Sequence, residues 1–462
     1  MEDYQMDPAQ ERLKAYFEQI GDLLGNEERR ASFATYAVGL LAEGERKSME
    51  PIAARASADA MKTDALHQRL QHMIANSPWS DHEVRLQSAR YALAEIEKRE
   101  PIVAWIIDDT GFLKQGKHSV GVQRQYTGSA GKVTNCQIGV SLGLATNSQQ
   151  LPVDFELYLP KTWTKDANRR KEAKIPNDIV FRTKPQQALA MIHRAVADDL
   201  PRGIVLADTG YGNSSAFRAE VHNNLGLDFA VAVDPQTKVW QMDRLLRRTG
   251  KSLSARALAK QIGGRAFRRV TWREGTSYKL SARFAFRRVV PFHDDGVDPS
   301  VREDVWLVME WEDDEPEPTK YYFATMPPQI TRKQLVRIIK LRWRTERMYE
   351  DLNGQLGLDH FEGRRFRGWH HHVSVVLCCY AFVCAEQARA FPPSAREEDH
   401  SGKDRRPTGA PLRRLVHHHP PRHRPIPGHL ATAMPNLPSA ESRCQSELAP
   451  APPKGRRKCV TQ

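Results

Sequence analysis

Three acidic residues stand in surroundings that could support metal-ion chemistry. Asp108 follows the apolar run WII, Asp208 follows GIVLA, and Glu346 lies in RWRTERMYEDLNG, a basic segment with the composition of a helix. In open sheets functional groups gather where strands end, so two strand-end carboxylates facing a helix carboxylate could form one site. These hard oxygen ligands suit Mg²⁺ or Mn²⁺, and two such ions can activate an attacking oxygen and stabilise the leaving one.

Each acid also has an ordinary structural explanation. A strand-end aspartate commonly caps a turn. Arg342 and Glu346 are four residues apart, which on a helix is the spacing of a surface ion pair worth about 0.3–0.5 kcal/mol. Asp109 directly follows Asp108 and is the alternative to it as the first acid. The residue types and spacings by themselves leave these alternatives open.

The sequence contains two groups of basic residues, one shortly after the first acid and one just before Trp369. They are Lys114, Lys117, Arg124 and Lys132, and then Arg364, Arg365 and Arg367. Both groups could contact DNA phosphates, whose charge lysine and arginine neutralise. For the first group, a solvated face of a β-hairpin is an equally good explanation.

The composition indicates which class of molecule the protein binds and in which cellular compartment it is expected. Lys and Arg total 69 against 56 Asp and Glu, which gives a net charge of +13. This surplus favours nucleic acid as a partner, although a basic protein without such a partner has the same composition. The six cysteines form no matched pair of CxxC motifs, which argues against a zinc site. The N-terminus is polar, and the longest apolar run, 373–385, is too short to cross a bilayer. We therefore expect a cytoplasmic protein with no membrane partner.

The elements around the acids follow from the spacing of apolar residues. Over residues 7–99 these residues recur every three or four positions, as Leu13, Phe17 and Ile20 do, which predicts helices. Short apolar runs after Pro101 predict strands, and the segment 184–197 predicts a helix between them. The predicted strands are 102–108, 135–145, 153–159, 203–208 and 228–233. Such alternation indicates an α/β sheet with mixed strand directions.

The pattern changes twice in the second half of the chain. Residues 238–327 predict antiparallel strands, and residues 331–354 predict one long basic helix with Thr331 as its N-cap. After about residue 395, many prolines and no apolar periodicity predict a tail that is disordered or the product of a frameshift. The predicted domains are a helical module (1–99), a first catalytic part (100–237), a β-rich insertion (238–327), a second catalytic part (328–395) and the tail (396–462).

Three segments together resemble a known family. WIIDDTGFLKQGKHSVGVQRQYTG, VLADTGYGN and LRWRTERMYEDLNGQLGLDHFEGRRFRGWHHH resemble, in this order, bacterial insertion-sequence transposases of the DDE superfamily. The resemblance runs from about residue 10 to about residue 395. The family's D-x-T pattern falls on Asp108, and its D-x-G-Y pattern falls on Asp208. In its Y-x2-R-x3-E-x6-K motif, the arginine and glutamate match Arg342 and Glu346. The tyrosine and lysine positions hold Ile339 and Asn353 instead.

The resemblance implies a fold and a set of roles. The fold would be α/β, with an RNase H-like catalytic domain, an inserted β-rich subdomain and an N-terminal all-helical module that binds DNA. Asp108, Asp208 and Glu346 would be catalytic and would hold Mg²⁺ or Mn²⁺, as two ions. The residues implied to contact DNA are Arg342, Asn353, Arg364, Arg365 and Lys114. On one continuous helix, offsets of three, four and seven residues would put Ile339, Arg342, Glu346 and Asn353 on one face.

The implied activity is transposition. The chain would cleave DNA at the ends of its element and transfer the freed 3′ strand into target DNA. Its partners would be the double-stranded terminal inverted repeats and the target, bound by a homodimer at the nucleoid. One alternative is a catalytically decayed derivative that binds DNA without cutting it. A second is a metal-dependent nuclease of the same fold that cuts DNA but never joins it.

Overall fold

Five helices occupy the N-terminal region where the apolar spacing predicts them. They are α1 (Pro8–Gly21), α2 (Glu27–Leu41), α3 (Met49–Ala56), α4 (Ala60–Ala75) and α5 (Asp81–Ile96). Asp7, Asn26 and Ser80 cap α1, α2 and α5 by accepting hydrogen bonds from backbone N–H groups of the first turn. The computed structural model describes residues 7–57, 59–242, 248–274, 279–292 and 304–390, so the predicted tail, 396–462, lies outside the described residues.

A mixed sheet follows the helices. Its first strands are β1 (Ala104–Leu113), β2 (Gln123–Thr127), β3 (Lys132–Ala145), β4 (Gln150–Leu157), β5 (Ile204–Ala207) and β6 (Phe229–Val233). β3 runs antiparallel to β1 on one side, and to β2 and β4 on the other. β5 runs parallel to β1, and β6 runs parallel to β5. The order β4-β3-β1-β5-β6 therefore combines an antiparallel half with a parallel half, and the prediction of mixed strand directions is confirmed.

The strands of the second half extend this same sheet. They are β7 (Lys238–Met242), β8 (Arg248–Ser254), β9 (Arg268–Glu274), β10 (Lys279–Pro291), β11 (Val305–Trp311) and β12 (Lys320–Ala324). β12 pairs antiparallel with β6, and β11, β10, β7 and β8 follow in order, with β9 also on β10. The segment 238–327 is thus rich in strand, as predicted, and it is hydrogen-bonded to the first strands as one twelve-stranded sheet. The predicted domain bounds remain a prediction.

The remaining helices pack on the sheet or connect its strands. They are α6 (Lys161–Thr164), α7 (Ala167–Ala173), α8 (Lys184–Ala197), α9 (Thr209–Gly212), α10 (Ser215–Ala219), α11 (Ala255–Ile262), α12 (Arg332–Lys340), α13 (Arg344–Leu356) and α14 (Phe366–Ala390). The helix predicted at 184–197 is confirmed as α8. Its N-cap Thr183 forms a capping box with Gln186.

The prediction of one long helix over 331–354 is wrong. Thr331 caps α12 as predicted, but a 3-10 turn, Leu341–Trp343, separates α12 from α13. α12 buries Ile339, and a straight helix would next bury the positions three, four and seven residues further on. The chain instead buries Thr345 and Met348, six and nine residues further on. The buried face therefore changes direction between the two helices, and the tighter turn accommodates this change.

The helix α14 lies at the centre of the apolar core that the N-terminal helices help to form. It packs against α1, α2, α4 and α5, and against β4. Tyr16 donates a hydrogen bond of 2.9 Å to the Cys378 carbonyl oxygen, and the Tyr36 hydroxyl lies 2.9 Å from Nδ1 of His372. By length and composition α14 could cross a membrane, but 83% of its most apolar window is buried in the protein. The N-terminal helices and α14 thus share a single apolar core.

Candidate active site

The strand β1 and the end of β5 bring the first two acids together. Ile106 pairs with Leu206 in the parallel ladder, and continuing that register by two residues places Asp108 beside Asp208. Asp208 follows β5 directly and caps α9, accepting a 2.8 Å hydrogen bond from the Gly210 N–H. The sequence predicted that the first strand ends at Asp108, and this bound is wrong. β1 continues to Leu113 because β3 pairs with it along its whole length.

The alternation of side chains along β1 separates Asp108 from Asp109. Asp108 lies on the face of Ile106, the face against which α12 packs. Asp109 lies on the opposite face, where both of its carboxylate oxygens are 3.0 Å from Nζ of Lys184. The Tyr211 hydroxyl also donates to Asp109, at 3.1 Å. Asp108 and Asp208 are therefore the pair that shares one face, whereas Asp109, although near enough to affect the pKa of Asp208, is bound by Lys184 and Tyr211.

The electrostatics of this pair are dominated by burial. Burial raises the pKa of Asp108 to about 6, although the nearby Arg342 guanidinium opposes the shift. Arg342 donates a 2.6 Å hydrogen bond from Nη1 to Oδ2 of Asp108. Burial also raises the pKa of Asp208, and the negative charge of Asp109 adds to that effect. The site thus holds two carboxylates that are costly to ionise and one nearby cation, Arg342, whose charge partly offsets that cost at both.

Glu346 is not gathered into this pair. It is exposed in the first turn of α13, and it is near enough to contribute to the raised pKa of Arg342. Within the described ranges, no group of three or more Asp, Glu, His or Cys side chains is close enough to hold a metal ion. The structure therefore joins Asp108, Asp208 and Arg342, with Glu346 one helical turn beyond the arginine.

Sequence reasoning missed a tyrosine beside the first acid. The Tyr349 hydroxyl hydrogen-bonds to Oγ of Ser141 at 2.6 Å, and Ser141 is the partner of Asp108 in the β1–β3 ladder. Burial raises the pKa of Tyr349 well above its ordinary value, and the charge of Asp108 contributes. Tyr349 is seven residues after Arg342, so the helical spacing that linked the arginine to Glu346 could also have indicated it.

The other residues predicted to contact DNA differ in their exposure to solvent and in their hydrogen bonds within the protein. Nζ of Lys114 donates a 2.6 Å hydrogen bond to the Phe361 carbonyl oxygen, and burial lowers its pKa. Arg365 is hydrogen-bonded to the side chain of Asn76. Asn353 is half-buried, and among the described residues its Oδ1 finds no hydrogen-bond partner. Arg364 is exposed. Of these four positions, Arg364 is the one presented to solvent.

Comparison with known proteins identifies the family. A family model described as "DDE superfamily endonuclease" matches residues 19–279, which is more than half of the chain. The chain belongs to this family. A second model, described as "Transposase DDE domain", matches residues 178–382 of this DDE-family chain. The resemblance stated from the three sequence segments is thereby confirmed.

Individual relatives of this DDE-family chain are more distant. One is the "Probable transposase for insertion sequence element IS701" of Microchaete diplosiphon, 29% identical over 202 residues. The match covers 44% of this chain and 48% of the relative, so the chain spans about half the length of that protein. A cryo-EM structure of the piggyBac transposase synaptic complex with hairpin DNA aligns with 11% identity and a TM-score of 0.39. That alignment covers 80% of this chain and 69% of the other.

Proposed function

We propose that this chain is a DNA transposase that cleaves the ends of its element and transfers the strand into target DNA. The observation that carries the proposal is the placement of Asp108, on β1, beside Asp208, which directly follows the parallel strand β5. The "DDE superfamily endonuclease" model, whose match contains both acids, supports it, and so does the "Transposase DDE domain" model, whose match contains Asp208 and Glu346. As the catalytic fold we propose an RNase H-like core, supported by the strand order β4-β3-β1-β5-β6 with its antiparallel and parallel halves.

The donor chemistry of the acids fits a divalent metal ion. Mg²⁺ is commonly held by one or two carboxylates together with substrate phosphates, and Asp108 and Asp208 supply two neighbouring carboxylates. Glu346, on the first turn of α13, would complete the predicted set. A bound Mg²⁺ or Mn²⁺ would supply Lewis-acid activation of a water or of a 3′-hydroxyl.

The protein's own residues would position the DNA and balance charge. Arg342 is hydrogen-bonded to Asp108, and with a divalent cation bound beside that carboxylate its guanidinium would be free to contact a phosphate through two N–H groups. The hydrogen bond between Tyr349 and Ser141 holds α13 against β3 beside Asp108. In phosphoryl transfer, positioning and charge neutralisation provide most of the catalysis.

The proposed partner is double-stranded DNA, as terminal inverted repeats and as target, bound by a homodimer in the nucleoid. The net charge of +13 supports a polyanionic partner. The decayed derivative remains the second candidate. Two observations favour it: Ile339 and Asn353 depart from the family motif, and within the described part of the chain Glu346 is not gathered with the two aspartates.

Cleavage of a duplex that carries the element end tests the proposal. With Mg²⁺, the variants Asp108→Asn, Asp208→Asn and Glu346→Gln should each lose cleavage and keep end binding. Asp313→Asn, at an exposed carboxylate paired with Arg269, is the matched control and should cut normally. Binding without cleavage by the wild-type chain would favour the decayed derivative. Cleavage without joining to a target duplex would favour a plain nuclease.

A further inference from the structure

A cleft of about 890 Å³ opens between the β2–β3 hairpin and the short helices α6 and α7. Five cationic side chains line it, and Asp166 is the one carboxylate in its wall. The cations are Lys117, Arg124, Lys161, Lys165 and Arg169. The Asp166 carboxylate caps the N-terminus of α7, where it accepts hydrogen bonds of 3.0 Å from the backbone N–H groups of Asn168 and Arg169. The cleft therefore carries a strong positive potential.

Three of the five cations of this cleft, Lys117, Arg124 and Lys165, have no ion pair or ring contact among the described residues, whereas Nζ of Lys161 lies 5.0 Å from the centre of the Phe181 ring. Arg169 lies 3.9 Å from Asp166 and stacks on the ring of Trp163. Over the described ranges, neither Arg124 nor the lysines of the cleft forms an ion pair, whereas Arg85, Arg194 and Arg342 do. Lysines and arginines that are exposed and clustered without acidic neighbours are typical of a phosphate-binding surface.

The walls of the cleft are fixed to each other. The Trp163 indole N–H donates a 2.8 Å hydrogen bond to the Val122 carbonyl oxygen, and Oγ1 of Thr162 donates to Oε1 of Gln123 at 3.0 Å. These bonds tie α6 to the start of β2. Tyr126 lies two residues after Arg124 on the same face of β2 and is 64% exposed. The cleft is thus a preformed groove that continues into an exposed aromatic ring, a combination suited to a nucleic-acid backbone.

The position of the cleft relates it to the acidic pair. Asn135 lines the cleft, and its Nδ2 donates a 2.6 Å hydrogen bond to the carbonyl oxygen of Lys114, just past the end of β1. Asp108 lies five pairs before Leu113, the last residue of β1. At about 3.3 Å per strand residue the cleft is therefore roughly 17 Å from Asp108. Successive base pairs of duplex DNA rise about 3.4 Å along the helix axis, so this distance, taken along the axis, corresponds to about five base pairs.

We infer that this cleft binds the phosphodiester backbone of the duplex held at the acidic pair, about five nucleotides from the phosphate that is cut. This inference rests on the proposed function, because it takes DNA to be the substrate. It adds a second contact, made by residues that lie outside all three family motifs. The occupant is the same duplex, and the cleft would fix its direction as it leaves the acidic site.

Binding of duplexes of different length tests the inference. Each duplex extends beyond the cut phosphate by either two or ten nucleotides. The extension is varied on one side of that phosphate in one set of substrates and on the other side in a second set. The wild-type chain should bind the longer duplex on one side on the order of tenfold more tightly at 0.1 M salt, through about two phosphate contacts. The double variant Lys161→Ala/Lys165→Ala should lose this gain and about two units of salt slope. Arg124→Glu, on the opposite wall, should act in the same way.

The control and the cutting assay separate the possible failures. Lys260→Ala/Lys320→Ala removes the same charge at two lysines that are ion-paired with Glu317 and Glu312, and it should bind like the wild type. On the two-nucleotide duplex the cleft variants should cut at the wild-type rate. Equal affinity of wild type and cleft variants for every duplex would overturn the inference and leave the proposed function standing. A wild-type chain that neither binds nor cuts any of the duplexes would overturn both.

Discussion

Replacing Asp108 with asparagine should stabilise the folded protein, and the gain should grow with pH. Burial raises the pKa of this carboxyl from an ordinary 3.8 to about 6 in the folded chain. Its side chain is 15% exposed, so solvent screens the effect little. A difference of about two pKa units corresponds to roughly 3 kcal/mol of unfolding free energy. The wild-type fold carries this cost at neutral pH in order to keep a carboxylate in the site.

The sign of this pH dependence follows from which state, folded or unfolded, binds the Asp108 proton more tightly. The folded state holds the Asp108 proton more strongly than the unfolded state does, so folding is favoured at low pH. This stabilisation is complete below about pH 4 and is lost as pH rises through about 6. Asparagine cannot ionise and keeps the stability of the protonated form. The advantage of Asp108→Asn should therefore rise by about 2 kcal/mol between pH 4.5 and pH 7.5.

Denaturant unfolding of both chains at a series of pH values measures this difference. Asp154→Asn is the control, because two arginines lower the pKa of that buried carboxyl, and its loss of stability should be nearly constant over this range. Mg²⁺ at about a hundred times its dissociation constant should add roughly 2.7 kcal/mol to the wild type and nothing to Asp108→Asn. A pH-independent difference between wild type and Asp108→Asn would refute the reasoning, and so would one that shrinks as pH rises.

Three other changes probe the second face of β1, the turn after β5 and the helical core. Asp109→Asn should keep the stabilisation by Mg²⁺ and lower the unfolding free energy by about 1–3 kcal/mol, because Lys184 loses its partner. Gly212→Ala should lower it by a similar 1–3 kcal/mol as measured by denaturant unfolding, since a Cβ there would lie 2.0 Å from the Ala232 carbonyl oxygen. Deleting residues 1–99 should leave a fragment that aggregates or binds a hydrophobic dye, because α14 loses most of the helices that cover it.

Each of these expectations has a result that contradicts it. Loss of the Mg²⁺ effect in Asp109→Asn would make Asp109 the metal ligand. Gly128→Ala is the control for Gly212→Ala, since a Cβ at Gly128 meets nothing within 4 Å, and equal unfolding curves for the two variants would contradict the predicted clash. A soluble fragment 100–462 that unfolds cooperatively would show that the N-terminal helices fold as a separate unit.

The sequence by itself determined the elements and the order of the acids. Apolar spacing depends on neighbours a few residues apart, so it correctly predicted α8, the helical N-terminus and four of the strands before Asp208, namely β1, β3, β4 and β5, but not β2. The motif around each acid is equally local. For this reason the family could be identified from three short segments, before any contact between them was known.

Only the tertiary structure decided which of these groups meet. The face of β1 that carries Asp108 is set by its ladders with β3 and β5, and these ladders also turn Asp109 towards Lys184. Lys114 is held by a carbonyl 247 residues away, and Arg342 by a carboxylate 234 residues away. The turn between α12 and α13 likewise results from the packing of two helices on different surfaces. Such contacts depend on register and packing between distant segments, and local periodicity carries no information about either.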